Sequence, residues 1–160
     1  MQHKPENLGF HLERKEFEHM NNIREYKGRV ISKGMAEGEA LVSHMPFSFM
    51  GSICDLASGT IYLGGHDLEG KSLKDKIFVY DTDYMSTSGC WGLLNMAMIF
   101  KSGPKAIIWR EAHNISANAA IYAGIPAMDH IEGKAPYDLI NTGDWVKVDA
   151  DKGVIVVRKK

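Results

Sequence analysis

"KIFVYDTDYMSTSGCWGLLNMAMIF", Lys76 to Phe100, decides how the chain is to be folded. Its opening, Lys76 to Asp81, is β-branched and aromatic, the composition of a compact strand buried on both faces. From Cys90 to Ser102 the chain is apolar nearly all round, which predicts a helix buried between layers. Ser86-Thr87-Ser88-Gly89 stands between the two, at the carboxyl end of the strand, where open α/β sheets bind ligands. A helix start gathers unpaired N–H groups and the positive end of the helix dipole, both suited to a carboxylate or phosphate. Capping alone would use one of the three hydroxyls. The surplus points to a site.

Working outward, "GRVISKGMAEGEALVS" reads as two short strands, Arg29 to Ser32 and Gly38 to Ser43, joined through glycine turns. The Gly- and Ser-rich stretch from His44 to Asp75 is a long irregular excursion with a short strand near Thr60 to Leu63. Loops of that length in a compact domain usually serve function. Beyond the central stretch, "GPKAIIWRE" gives a turn and a strand. "ISANAAIYAG" gives an alanine-rich helix stopped at Gly124, and "IPAMD" a further strand. "TGDWVKVDADKGVIVVRK" is a terminal β-hairpin turning over Asp149 to Gly153. Strand–helix–strand–helix–strand followed by a hairpin predicts a layered α/β domain with a partly parallel sheet over residues 27–160. Residues 1–26 are hydrophilic and read as a polar N-terminal extension.

Composition narrows the function. Lys plus Arg number 19 against 20 for Asp plus Glu, a formal charge of -1, which argues against a nucleic-acid platform. No apolar run has the length of a membrane span, and the N-terminus lacks the apolar core of a signal peptide, so a soluble cytoplasmic protein is expected. The 2 cysteines, Cys54 and Cys90, form no CxxC pattern and are too few for an iron–sulfur cluster of this chain's own. His44, His66, His113 and His130 lie on separate loops without zinc spacing. No metal site is expected here. A Ser-His-Asp triad from Ser86, His113 and Asp81 or Asp83 is imaginable, but "MSTSG" is not the G-x-S-x-G elbow of such hydrolases.

Two further segments are candidates. Arg110, with Glu111, ends a predicted strand on the same rim; it either clamps a substrate carboxylate bidentately or makes an ordinary surface ion pair. "MPFSFMG", Met45 to Gly51, either closes over the site as a lid or tucks Phe47 and Phe49 into the core.

Taken in order, "GRVISKGMAEGEALVSHMPFSFMG", "GHDLEGKSLKDKIFV", "STSG", "AIIWREA", "AGIPAMD" and "TGDWVKVDADKGVIVV" resemble the small subunit of the aconitase X family, from Gly28 to Val157. The resemblance implies a swivelling β/β/α domain that closes the active site of a hydro-lyase, or dehydratase. It implies a large catalytic subunit that carries an iron–sulfur cluster or metal, with no cofactor in this chain. The substrate implied is a small hydroxy acid, cis-3-hydroxy-L-proline or, alternatively, mevalonate 5-phosphate. The family's serine base falls on Ser86, with Thr87, Ser88 and Gly89 orienting it or gripping the substrate carboxylate; Arg110 is a substrate-binding candidate from its place at the strand end alone. Met85 stands where the family has a small residue, and Cys90 where serine is common. The tail also resembles mobile phosphohistidine domains, but the position that would carry the histidine is Ile115, which cannot accept a phosphoryl group.

Overall fold

A computed structural model describes residues 22–84 and 87–160. The central strand β4 (Ile77–Tyr80) is buried along its whole length. Its side chains alternate between two apolar clusters: Ile77 and Val79 enter one, Phe78 and Tyr80 the other. Strand β5 (Ala106–Trp109) repeats the pattern, with Ala106 and Ile108 on the first face and Ile107 and Trp109 on the second. A period of two between two dry faces is what a middle layer requires.

Strand β3 (Met35–Val42) joins two sheet regions. Its residues 35–39 pair antiparallel with β7 (Trp145–Asp149), and residues 40–42 pair parallel with β4. The hairpin partner of β7 is β8 (Val154–Arg158), turned through Gly153 at φ +70°. On the other side β4, β5 and β6 (Ala127–Asp129) run parallel, and β2 (Arg29–Ser32) closes the edge antiparallel to β6. The full order is β1-β8-β7-β3-β4-β5-β6-β2. Val146, Val148, Ile155 and Val157 of the hairpin share a cluster with Ile77, Val79 and Ile108, so the two sheet halves pack face to face. Helices α1 (Ser88–Asn95) and α2 (Asn114–Ala123) cover the opposite face of β4 and β5. The result is two β layers and one helical layer.

Several expectations need correction. Residues 23–26 are not an appendage: β1 (Ile23–Lys27) adds an antiparallel edge strand to β8. Only Tyr26 of β1 is half-buried, so backbone pairing holds it and no apolar pattern announces it. Residues 1–21, the rest of the expected extension, lie outside the described residues. The strand expected near Thr60 is two isolated bridges, Cys54 with Ile61 and Thr60 with Ser72, in a loop turned repeatedly by glycines such as Gly59 and Gly65 at positive φ. The buried helix expected over Cys90 to Ser102 runs instead from Ser88 to Phe100 and is more exposed than its composition suggests. After α1 it widens into a π-helix over Met96–Phe100 and stops at Lys101 in the left-handed region. Trp91 is 63% exposed and Ile99 67%, because only the Leu93 and Met96 side faces the sheet. The other helix stops as expected, with Gly124 left-handed at φ +66°.

Candidate functional site

Three parallel strands deliver their carboxyl ends, at Tyr80, Trp109 and Asp129, to one rim of the middle layer. The segment leaving β4 is held from both sides. On one, Phe47 N–H donates to Thr82 O at 3.1 Å and Tyr84 N–H to Phe47 O at 2.9 Å. On the other, the Asp83 carboxylate accepts the Ser116 N–H at 2.9 Å and the Ser116 hydroxyl at 2.7 Å. Ser116 lies in the first turn of α2, whose N-cap residue His113 makes no side-chain capping bond. Asp83 therefore caps α2 from 33 residues away. The buried Tyr80 hydroxyl donates to Asp83 at 2.8 Å; burial, then the Asp83 charge, push its pKa well above the usual phenol value.

Thr87 occupies the N-cap position of α1 and, like His113, makes no side-chain capping bond. The plain capping role for Thr87 is thus not what the fold uses. Thr87 and Ser88 are exposed and Gly89 is buried, and Met85 and Ser86 lie outside the described residues, the proposed base included. Gly89 and Gly92 let the loop of Phe47 and Phe49 press directly on α1. A Cβ on Gly89 would come 2.8 Å from Ser48 Oγ, and one on Gly92 would come 1.5 Å from the Phe49 carbonyl oxygen. Phe47 and Phe49 are buried core residues, which settles "MPFSFMG" as packing rather than a lid.

The starts of α1 and α2 border a cleft of about 270 Å³ lined by Thr87, Cys90, Asn114, Ile115 and Asn118. Every one of these side chains is uncharged. A second cavity, of about 170 Å³, opens where β5 and β6 end, lined by Arg110, Glu111, His130, Gly133, Lys134 and Ala135. Its floor includes His130, at φ +50°, an unusual backbone state for a residue other than glycine. Arg110 is not idle there. Its Nε donates to Asp81 Oδ1 at 2.5 Å and Nη2 to Oδ2 at 3.3 Å, while the Tyr137 hydroxyl reaches the same carboxylate at 3.1 Å. The Arg110 hydrogen bond holds the Asp81 carboxyl below its ordinary range. The knot and Arg110 share the rim but line different cavities.

Asp129 escaped the sequence reading. It is fully buried at the end of β6, where Arg29 Nε and Nη2 donate to it at 2.8 and 2.7 Å. Ala112 N–H adds a bond at 2.9 Å and His130 Nδ1 lies 3.1 Å away. Burial alone would raise its pKa; these donors outweigh it and keep the carboxyl below the usual value. A lone acid closing an otherwise apolar strand was the available signal. Among the described residues no group of three or more His, Cys, Asp or Glu side chains is placed to hold a metal ion, and no helix is long and apolar enough to cross a membrane. Cys54 is fully buried, its thiol pushed up to about 12 by burial first and Asp55 second; Cys90 stands apart at the cleft.

Comparison with known proteins agrees with this arrangement. The sequence profile of the aconitase X swivel domain matches residues 25–157. A phosphomevalonate dehydratase small subunit from Methanocaldococcus jannaschii is 42% identical over 137 residues, covering 85% of this chain and 99% of that protein. Its counterpart from Methanosarcina mazei is 39% identical over 135 residues, covering 84% and 92%. The crystal structure of Thermococcus kodakaraensis aconitase X in its holo-form superposes with a TM-score of 0.77 at 36% identity, covering 84% of this chain and 98% of that one.

Proposed function

Because the chain belongs to the aconitase X swivel-domain family, we propose that it is the small subunit of a dehydratase, supplying a serine base to an active site shared with a large subunit. The observation that carries this reading is the uncharged cleft at the start of α1, bordered by Thr87 of the hydroxyl-rich knot and by Cys90 after it. Relatives at 39–42% identity bear the name phosphomevalonate dehydratase small subunit, which supports a phosphorylated hydroxy acid as substrate over cis-3-hydroxy-L-proline.

In this reading Ser86 takes the proton from the carbon α to the substrate carboxylate. The released electron pair forms the carbon–carbon double bond as the hydroxyl leaves the neighbouring carbon, so water is lost overall. The first-turn amides of α1, with Thr87, Ser88 and Gly89, hold the carboxylate and favour the serine alkoxide in a closed, dry site. Neutral cleft walls add no competing charge to that balance. The iron–sulfur cluster or metal of the reaction is assigned to the large subunit. The residues described here do not fit such a group, since one thiol is sealed in the core and the other has no companion ligand.

Co-expression with the large subunit tests the proposal. The isolated chain is expected to be folded and inactive, and the assembled pair to dehydrate phosphomevalonate in preference to cis-3-hydroxy-L-proline. A chain that turns over either substrate alone, or a pair active on neither, refutes it.

A further inference from the structure

Charge is missing from the helical layer. Through α1, the π-helix and α2, from Ser88 to Phe100 and from Asn114 to Ala123, no side chain is charged, in a chain that is 24% charged. One side of the layer meets the sheet through Leu93, Met96, Ala119 and Ala120. The other side faces solvent, yet Trp91, Met98, Ile99, Phe100, Ile121 and Tyr122 are all exposed there, Tyr122 at 78%. Met98 and Ile99 follow Trp91 by two helical turns, which sets the three on one side. The two helices pack side by side with their starts on one cleft, so Ile121 and Tyr122 share that outer surface. Charge resumes at the margins, at the exposed Lys101 after the π-helix and the exposed Glu111 before α2. The outer side of the sheet is ordinary by contrast, with Glu37, Glu39, Lys147 and Arg158 exposed along its strands. Scattered apolar residues on a surface need no explanation, but a charge-free face with a charged margin has the anatomy of an interface.

We propose that this outer face of α1, the π-helix and α2 is the docking surface for the large subunit, with Trp91 and Tyr122 as its aromatic anchors. Placement chooses the occupant. Both helices start at the cleft lined by Thr87, Cys90 and Asn114, which on the dehydratase reading the large subunit completes, so a chain closing over that cleft meets the helical layer next. Relatives at 39–42% identity are named small subunits, which calls for a larger partner. The identity of the partner rests on the dehydratase reading; the need for one rests on the face itself. Docking also accounts for the composition of Cys90 to Ser102, that of a helix buried between two layers: this chain supplies one layer and the large subunit the other. The complementary surface is apolar, because a charge buried there would find no counter-ion on α1 or α2.

Methionine oxidation reads this face without altering it. In the full chain alone, Met98 at 57% exposure and Met35 at 63%, on β3 of the other layer, are expected to oxidise at comparable rates in dilute peroxide, followed by mass spectrometry. Purified large subunit is expected to slow Met98 roughly 10-fold, since exposure governs susceptibility, and to leave Met35 unchanged. A Met98 already shielded in the isolated chain, by a second copy or another part of the same chain, overturns the proposal, as does a Met98 still reactive in the pair. Substitution gives a second reading. Trp91→Glu with Tyr122→Glu is expected to weaken binding of the large subunit roughly 100-fold, about 10-fold for each anchor, while the isolated chain keeps its melting temperature. Met35→Glu, the same charge on the other layer, is expected to bind as wild type does. Undiminished affinity in the double variant, or an equal loss in Met35→Glu, contradicts the assignment, and the oxidation pattern decides it should the double variant fail to fold. A pair that assembles through this face yet turns over no hydroxy acid sinks the dehydratase reading alone. An active pair whose affinity ignores both substitutions sinks the docking face alone.

Discussion

Gly92→Ala is the sharpest perturbation of the machinery beneath the site. The new Cβ would lie 1.5 Å from the Phe49 carbonyl oxygen and 2.8 Å from its carbon. Both are backbone atoms, so no rotamer change relieves the clash and the loop must retreat. Retreat drags Phe49, 1% exposed, from its edge-on contacts with Phe47, Phe78 and Tyr80. Full removal of a buried phenylalanine ring costs about 3–5 kcal/mol, which bounds the loss. Against it stands the better helix propensity of alanine, about 1 kcal/mol. The net is a destabilisation of about 3 kcal/mol, or roughly 6–12 °C in melting temperature for a chain of this size. Gly51→Ala is the control in the same loop, with nothing within 4 Å of its Cβ and an expected change within about 0.5 kcal/mol. Thermal unfolding followed by circular dichroism reads both. Equal melting temperatures for Gly92→Ala and wild type would refute the claim that the Phe49 loop bears directly on α1.

Two more predictions follow from the rim. Asp129 titrates below its ordinary value in the folded state, so its stabilisation is present above the unfolded carboxylate pKa and lost as pH falls through the folded one. Asp129→Asn should therefore cost about 1–3 kcal/mol at pH 7, and denaturant titrations should show the gap to wild type closing below about pH 4; a gap that stays constant into acid contradicts the assignment. Arg110→Ala should change stability by less than about 1 kcal/mol, because its pair with Asp81 is half-exposed. In the assembled enzyme it should raise KM roughly 10-fold if the guanidinium turns to a substrate anion; an unaltered KM leaves it an internal ion pair.

The middle layer was legible because its physics is local. "KIFVYD" alternates between two apolar faces, and Gly124 supplies the left-handed stop of α2. What stayed hidden depends on residues far apart in the chain. Asp83 meets Ser116 across 33 positions and Arg29 meets Asp129 across 100, and neither pairing leaves a periodic trace. Strand β1 was missed because its contribution is backbone pairing to β8, with mostly exposed polar side chains. The exposed side of the α1 and π-helix run was missed for the opposite reason: its composition is that of a core, while the sheet covers only one side of it.

Turnover by the assembled pair carrying Ser86→Ala, with assembly verified by copurification, bears on the central claim most directly. Loss of a general base should depress kcat by roughly 10²–10⁴-fold while the subunits still associate. Wild-type kcat in that variant would mean the proton is taken by a group outside this chain.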